Sequence, residues 1–235
     1  MSLKLGVGTG CFYRLKMTQV EIIKYLKKLE KVDAVEITLS DQKELETTSW
    51  SKIASLVQDF RYVSIHAPIK QDYNNKENSI NLLKEIEKRR KQIGAETVVF
   101  HPDRVEKPEI LTENLRNAAI ENMQLKKKFD RDNFSKFHEN GLGFVLDIVH
   151  ANTWKNKYPK EAEYMFQEYQ ENLKQFHISA EGNEEEHEPL YKYPDQLEKY
   201  SELLTSTNKP LILESKLETK EEIKEELEFI SSNLR

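Results

Sequence analysis

Cysteine is nearly absent from this chain: Cys11 is the only one among 235 residues. No intrachain disulfide can form, and such usage suits a reducing compartment. Long apolar runs are also missing. No stretch approaches the ~18 residues of a membrane span, and the N-terminus lacks the charged-then-apolar layout of a secretion signal. The sequence therefore reads as cytoplasmic, with no membrane partner. Nor is there surplus positive charge, since 36 Lys and Arg face 41 Asp and Glu for a formal net charge of −5. That balance argues against a protein that coats nucleic acid nonspecifically, which draws on Lys and Arg. The GxGxxG fingerprint of dinucleotide-binding folds is absent, because GVGTG at Gly6 to Gly10 is not followed by a helix at the required distance. No linker, repeat or low-complexity tract divides the chain, and only the acidic run from Glu181 to Glu188 shifts the composition.

What is present is an alternation of strand-like and helix-like segments. Strand patterns cover Leu3 to Thr9, Ala34 to Leu39, Tyr62 to His66, Glu96 to His101, Ala118 to Asn122, Gly143 to Asp147, Leu173 to Ser179 and Pro210 to Ser215. Between them, helical periodicity covers Val20 to Glu30, Trp50 to Phe60, Asn78 to Gly94, Pro108 to Asn117, Lys126 to Asn140, Lys160 to Asn172, Asp195 to Ser206 and Glu221 to Ser232. Thr18 with Glu21, and Thr219 with Glu222, have capping-box spacing, while Gly94 and Gly141 mark helix ends. Eight strand-then-helix units imply parallel crossovers and closure into a (β/α)8 TIM barrel, an α/β fold. With 33% charged and 37% hydrophobic residues the chain reads as globular with a charged exterior. Its length fits one domain over 1–235, since such barrels run to ~200 to 250 residues.

Six strand-like runs end in metal-preferring side chains: YVSIH at His66, TVVFH at His101, AAIE at Glu121, FVLD at Asp147 with His150 beyond it, LKQFH at His177, and LILE at Glu214. In a parallel barrel the C-terminal strand ends converge on one mouth, which is the functional face. Five of the six histidines (His66, His101, His150, His177 and His187) fall in these segments, and His138 on a charged helix is the exception. Each residue alone has an ordinary role. A strand-end His is commonly a hydrogen-bonded structural group, a strand-end Glu commonly pairs with Lys, and Asp147-x-x-His150 suits a turn and helix cap. Their coincidence points to chemistry. Two carboxylates ~5 Å apart repel by ~3 kcal/mol at an effective dielectric of ~20, so Glu121, Asp147 and Glu214 together call for protonation or a cation. Neighbouring imidazoles favour the cation, and mixed His and carboxylate ligands suit Zn, Mn, Co or Fe(II) better than Ca or Mg. Glu121, Asp147, His177 and Glu214 form one set. His66, His101, His150 and His187, with Glu185 two residues before His187, offer further ligands, so one to three ions are expected.

The run SIHAP, VVFHPD, AIENM, LDIVHAN, FHISAEG, Glu185-x-His187 and LILES resembles the xylose isomerase-like TIM-barrel superfamily, which joins sugar isomerases and epimerases to endonuclease IV-like nucleases. The resemblance spans nearly the whole chain. Its epimerase branch implies an isomerase or epimerase acting on a small sugar or sugar phosphate, with Glu121 and Glu214 as a metal-bound base and acid pair and Asp147 and His177 completing the shell. Glu36 then resembles a strand-end Glu of sugar-acting members. The endonuclease IV branch implies the alternative, a phosphoesterase with DNA as partner and three zinc ions. Those ions would be held by His66, His101 and Glu121; by Glu121, Asp147, His177 and Glu214; and by His150, Glu185 and His187. The chain departs from that pattern in having Glu185 where Asp is usual and in lacking glycines in HEPLYKY. Few basic side chains (Arg14, Lys70, Arg104 and Lys216) are expected at the mouth, and Lys216 stands where barrels often bind phosphate. These features place the isomerase first. Phe12, Tyr13, Tyr73 and Trp154 are expected in loops above the mouth, packed beneath them or stacked on a sugar ring.

Overall fold

The computed structural model describes residues 3–74, 76–124, 131–154, 157–183 and 186–234. Apolar, β-rich segments form β1 (Leu5–Gly8), β2 (Ala34–Thr38), β3 (Tyr62–His66), β4 (Thr97–Phe100), β5 (Ala118–Glu121), β6 (Gly143–Asp147) and β7 (Leu173–Ile178). The hairpin strands β8 (Ala180–Glu181) and β9 (Glu186–Glu188) follow, and then β10 (Leu211–Leu213). All except the hairpin are parallel and close into a barrel, with β10 pairing to β7 on one side and to β1 on the other. The expected (β/α)8 TIM barrel is the observed architecture.

Among the described residues ten α-helices accompany the strands: α1 (Gln19–Leu26), α2 (Gln42–Thr47), α3 (Trp50–Leu56), α4 (Lys76–Ile93), α5 (Glu109–Asn114), α6 (Arg131–Glu139), α7 (Ile148–Asn152), α8 (Glu161–Tyr169), α9 (Pro194–Thr205) and α10 (Lys220–Asn233). Both capping boxes form, at α1 and α10. Gly94 and Gly141 take φ of 68° and 76°, the left-handed conformation that ends a helix. Several helices are shorter than their periodicity suggests. After Leu26 the backbone tightens to three-residue bonds, Lys28 to Tyr25 and Leu29 to Leu26, so α1 stops before Glu30. Asn117 at φ 59° rules out a helix continuing to that point from α5. The first part of the expected Lys126–Asn140 helix, residues 126–130, lies outside the described residues.

The main core lies between the outer strand faces and the helices, where Val7, Val35, Ile65, Ile120, Leu146 and Leu213 are buried. The lumen has its own small plugs, Ala34 with Tyr62 and Ile212, and Val99 with Ala119 and Val145. Gly6 is required by this filling: a Cβ there would come within 2.6 Å of Ile212 and 2.7 Å of Ala34. One layer nearer the mouth, Gly8, Glu36 and Ser64 stand in register, and the lumen turns polar. No helix among the described residues is long and apolar enough to cross a membrane.

Candidate metal centre

Period-two alternation aims the strand-end ligands inward. His66 ends β3, Glu121 ends β5, Asp147 ends β6 and His177 lies in β7, while His101 and Glu214 directly follow β4 and β10. His150 lies one turn into α7, whose N-cap is Asp147: the Asp147 Oδ1 atom accepts from the His150 N–H at 2.7 Å. Asp147-x-x-His150 is therefore a helix cap and part of the cluster at once. His187 comes from the hairpin strand β9 with φ 65°, a conformation uncommon outside glycine, asparagine and aspartate.

Glu121 is the centre of the arrangement. Its Oε2 lies 3.1 Å from His66 Nε2 and 3.4 Å from His101 Nε2, and its Oε1 lies 3.0 Å from His177 Nδ1 and 3.5 Å from His150 Nδ1. Glu214 Oε2 is 3.3 Å from His177 Nδ1. Three overlapping groups each bring their ligand atoms within 4.8 Å of one another: His66, His101 and Glu121; Glu121, Asp147, His177 and Glu214; Asp147, His150 and His187. The first two are the sets implied by sequence resemblance. In the third, Asp147 stands with His150 and His187, while Glu185 lies outside the described residues.

Contacts behind the ligands fix ring orientation, a common device at metal sites. His66 Nδ1 meets the Ala67 carbonyl at 3.1 Å, His150 Nδ1 the Asn122 carbonyl at 2.9 Å, and His187 Nδ1 the Ser179 hydroxyl at 3.1 Å. Donation of Nδ1–H to the two carbonyls leaves the Nε2 lone pairs of His66 and His150 for the cluster. Asn122 also binds β6: its amide donates to the Asp147 carbonyl at 2.8 Å and its oxygen accepts the Asp147 N–H at 2.7 Å. Beneath His177, Gln175 donates to Glu36 Oε2 at 2.6 Å and approaches His177 Nε2 at 2.7 Å, while Ser64 donates to Glu36 at 2.8 Å. Neither Asn122 nor Gln175 is among the residues singled out from sequence. Both were accessible to it, Asn122 as the polar residue after Glu121 and Gln175 as the residue two before His177 on the same inward face.

Electrostatics follow from burial and crowding. Burial works against charge on Glu121, but the His177 charge and bonds from His101, His177 and His66 outweigh it and hold the carboxyl well below its ordinary range. His177 is pushed well above the usual imidazole range: burial opposes the charge, but Glu214, Glu36 and Glu121 prevail. Burial likewise opposes an imidazolium at His66, where Glu121 raises the pKa to about 9. Burial depresses His187 to about 4 and raises Asp147. The cluster fits a divalent cation on two orphaned atoms. Asp147 Oδ2 and Glu36 Oε1 are buried with no hydrogen-bond partner, the first beside the ligands and the second behind His177. A cation would satisfy Asp147 directly, and would leave His177 Nε2–H to donate to Glu36.

The remaining sequence candidates sit around this centre. Glu36 is fully buried below the ligands, where it meets protein groups rather than the open mouth. The Lys216 N–H donates to the His187 carbonyl at 2.6 Å, placing Lys216 beside the hairpin. Gln124 donates to Glu186 and Asn152 to Glu181, tying that hairpin to the loop after β5 and to α7. Of the loop aromatics, Phe12, Tyr73 and Trp154 are buried in the core and Tyr13 is 59% exposed beside Arg14. His138 is elsewhere, bonded to Asn172.

No protein-family model and no curated protein matches the sequence. Solved structures do. A D-tagatose 3-epimerase-like protein is 17% identical, with 99% of this chain and 100% of that one covered at a TM-score of 0.69. A xylose isomerase domain containing protein from Salmonella typhimurium is 14% identical, with coverage of 100% and 99% and a TM-score of 0.68. Endonuclease IV from Thermus thermophilus is 16% identical, with coverage of 98% on both sides and a TM-score of 0.66. The chain shares the TIM-barrel fold of these proteins. The epimerase-like, xylose isomerase domain and endonuclease IV structures match it almost equally, so the choice of chemistry rests on the side chains.

Proposed function

We propose that this chain is a divalent-metal-dependent phosphoesterase whose centre holds more than one ion around Glu121. One observation carries the reading: both Glu121 oxygens face imidazole nitrogens, two at 3.1 and 3.4 Å from Oε2 and two at 3.0 and 3.5 Å from Oε1. A general base needs an oxygen within hydrogen-bond reach of the substrate proton, ~2.6 to 3.2 Å. Glu121, buried among four rings, leaves no oxygen turned to the open mouth, and a carboxylate with His66 and His101 at one oxygen and His177 at the other would suit two cations held side by side. This reverses the order that sequence favoured. The extra histidines converge on the centre, so the isomerase roles of Glu121 and Glu214 are the less supported.

His66 and His101 would hold one ion with Glu121; Asp147, His177 and Glu214 would hold a second with it; His150 and His187 would hold a third with Asp147. Zn suits this imidazole-rich donor set, with Mn, Co and Fe(II) as the other candidates. Bound divalent ions would supply a water of lowered pKa and offset charge on the phosphoryl oxygens. Glu214, its side chain 16% exposed, is the carboxylate of the four-residue group that opens to solvent, and is placed to hold or take a proton from incoming water or substrate. Lys216, two residues on, would be the cation that meets a substrate phosphate.

The second reading is proton transfer on a sugar or sugar phosphate. It is supported by the four-residue group, which is by itself a complete set for one ion. Metal-replete protein assayed on bis(p-nitrophenyl) phosphate, an abasic-site duplex and a panel of sugars and sugar phosphates in deuterated water separates the two. The phosphoesterase predicts two or three ions per chain and chelator-sensitive P–O cleavage. One ion with deuterium entering a sugar C–H position would reinstate the isomerase.

A further inference from the structure

The lower end of the barrel, opposite the metal centre, carries a second charged site. A cavity of about 420 Å³ opens there, lined by Lys4, Lys174, Lys209, Tyr62, Thr97 and Glu96. The lysines belong to three neighbouring staves, Lys4 just before β1, Lys209 just before β10 and Lys174 in β7. Lys174 reaches the lumen through a β-bulge. Phe144 pairs with Leu173 and Val145 with Gln175, so Lys174 is the extra residue, and a bulge re-aims the side chain it carries. Position 143 makes room for it: a Cβ on Gly143 would stand 2.8 Å from Lys174 Cε and 2.9 Å from Cγ. A bulge and a glycine on adjacent strands thus direct one ammonium stem across the bottom of the barrel.

None of the three lysines forms an ion pair with a described residue. Glu96, exposed at the rim, is the one carboxylate of the lining, which leaves the cavity with a net positive charge. Burial, and then Lys174 and Lys4, push the Lys209 pKa below its ordinary value. Like charges gathered without counter-ions favour an anion, as gathered carboxylates favour a cation. The Tyr62 and Thr97 hydroxyls, 2.8 Å apart, add polar groups to the same wall.

We propose that this lower mouth binds a small phosphate-class oxyanion, inorganic phosphate or the phosphate group of a phosphorylated small molecule, through Lys4, Lys174 and Lys209. Lysine binds phosphate as a mobile point charge, and three of them suit a doubly charged tetrahedral ion without fixed fork geometry. The site is separate from the metal centre and independent of its chemistry.

Calorimetric titration of the purified, metal-containing protein at low ionic strength tests it, with inorganic phosphate in one arm and glycerol phosphate in the other. The expected result is a saturable site weakened at least tenfold by Lys174→Gln and by Lys209→Gln, tightened by Glu96→Gln and retained in Glu214→Gln. Tighter binding of glycerol phosphate assigns the site to phosphorylated molecules, and tighter binding of inorganic phosphate assigns it to the free ion. Lys209→Gln lies outside the barrel strands and carries the test if Lys174→Gln does not fold. Absence of saturable binding, equal binding by the lysine variants, or loss only in Glu214→Gln would overturn the proposal.

Discussion

Glu36 Oε1 stands 3.3 Å from His177 Nε2, on the far side of the ring from the nitrogen that meets Glu121 at 3.0 Å. The two residues make one unit reaching from the lumen to the metal centre. Burial disfavours a charged Glu36, but His177 outweighs it and keeps the carboxylate ionised. Oε2 is satisfied by Ser64 and Gln175, whereas Oε1 has no partner. An Nε2–H on His177 would supply one in place of the Gln175 amide contact at that nitrogen, and that tautomer turns the Nδ1 lone pair toward the ligand cluster.

Glu36→Gln should therefore weaken cation binding by about 10- to 100-fold, the usual effect of losing a group that orients a ligating histidine. The fold should survive, because glutamine keeps the shape. Competition against a chromophoric chelator measures the affinity, and a circular dichroism melt checks the fold. Unchanged affinity in a folded variant would remove Glu36 from the site.

Asn122 makes a different prediction. Its side chain closes two bonds to the Asp147 backbone and its carbonyl holds His150. Asn122→Ala would leave a buried N–H and a buried C=O unpaired, at a cost of roughly 2 to 4 kcal/mol. Denaturant unfolding should show that loss. Asn122→Asp, which keeps an acceptor for the Asp147 N–H but loses the amide donor, should fall between the two. A loss under about 1 kcal/mol for the alanine variant would mean that the strand ends are held elsewhere.

Stability should fall with rising pH in stripped protein but not in loaded protein. With no cation, His66 in the fold keeps its proton up to about 9, whereas the unfolded chain releases it near ~6.5. Its contribution to stability is thus full below ~6.5 and lost as pH rises through about 9. A bound cation needs the neutral ring and competes with the proton, so loading tightens over the same interval. The gap in Tm between metal-replete and chelated protein should widen from about pH 6.5 to 9. A gap that narrows would show that His66 is not a ligand.

The barrel was legible because its strands are short apolar runs separated by capped helices, and because His66, His101, Glu121 and Asp147 each close such a run. The direction of a parallel strand then assigns all four to one mouth. The hairpin was not legible. β8 and β9 hold two and three residues of an acidic stretch, too little for alternation to register, and they form by closing on each other. α7 was legible only through its cap, Asp147-x-x-His150, since Ile148–Asn152 is a single turn stabilised by that cap rather than by periodicity. The bulge at Lys174 left no trace, because an extra residue shows only against the partner strand. Glu36 was visible as a residue but not in its depth, which depends on the register that places it level with Gly8 and Ser64.

On the proposed function Glu121 would serve two cation positions. Anomalous diffraction from crystals grown with zinc tests it most directly. Two or three peaks per chain are predicted, with one beside Glu121 Oε2, His66 and His101 and another beside Glu121 Oε1 and His177, each at the ~2.0 to 2.2 Å of zinc coordination. A single peak shared by Glu121 and Glu214 with His66 and His101 unligated, or no peak in the cluster, would contradict the account.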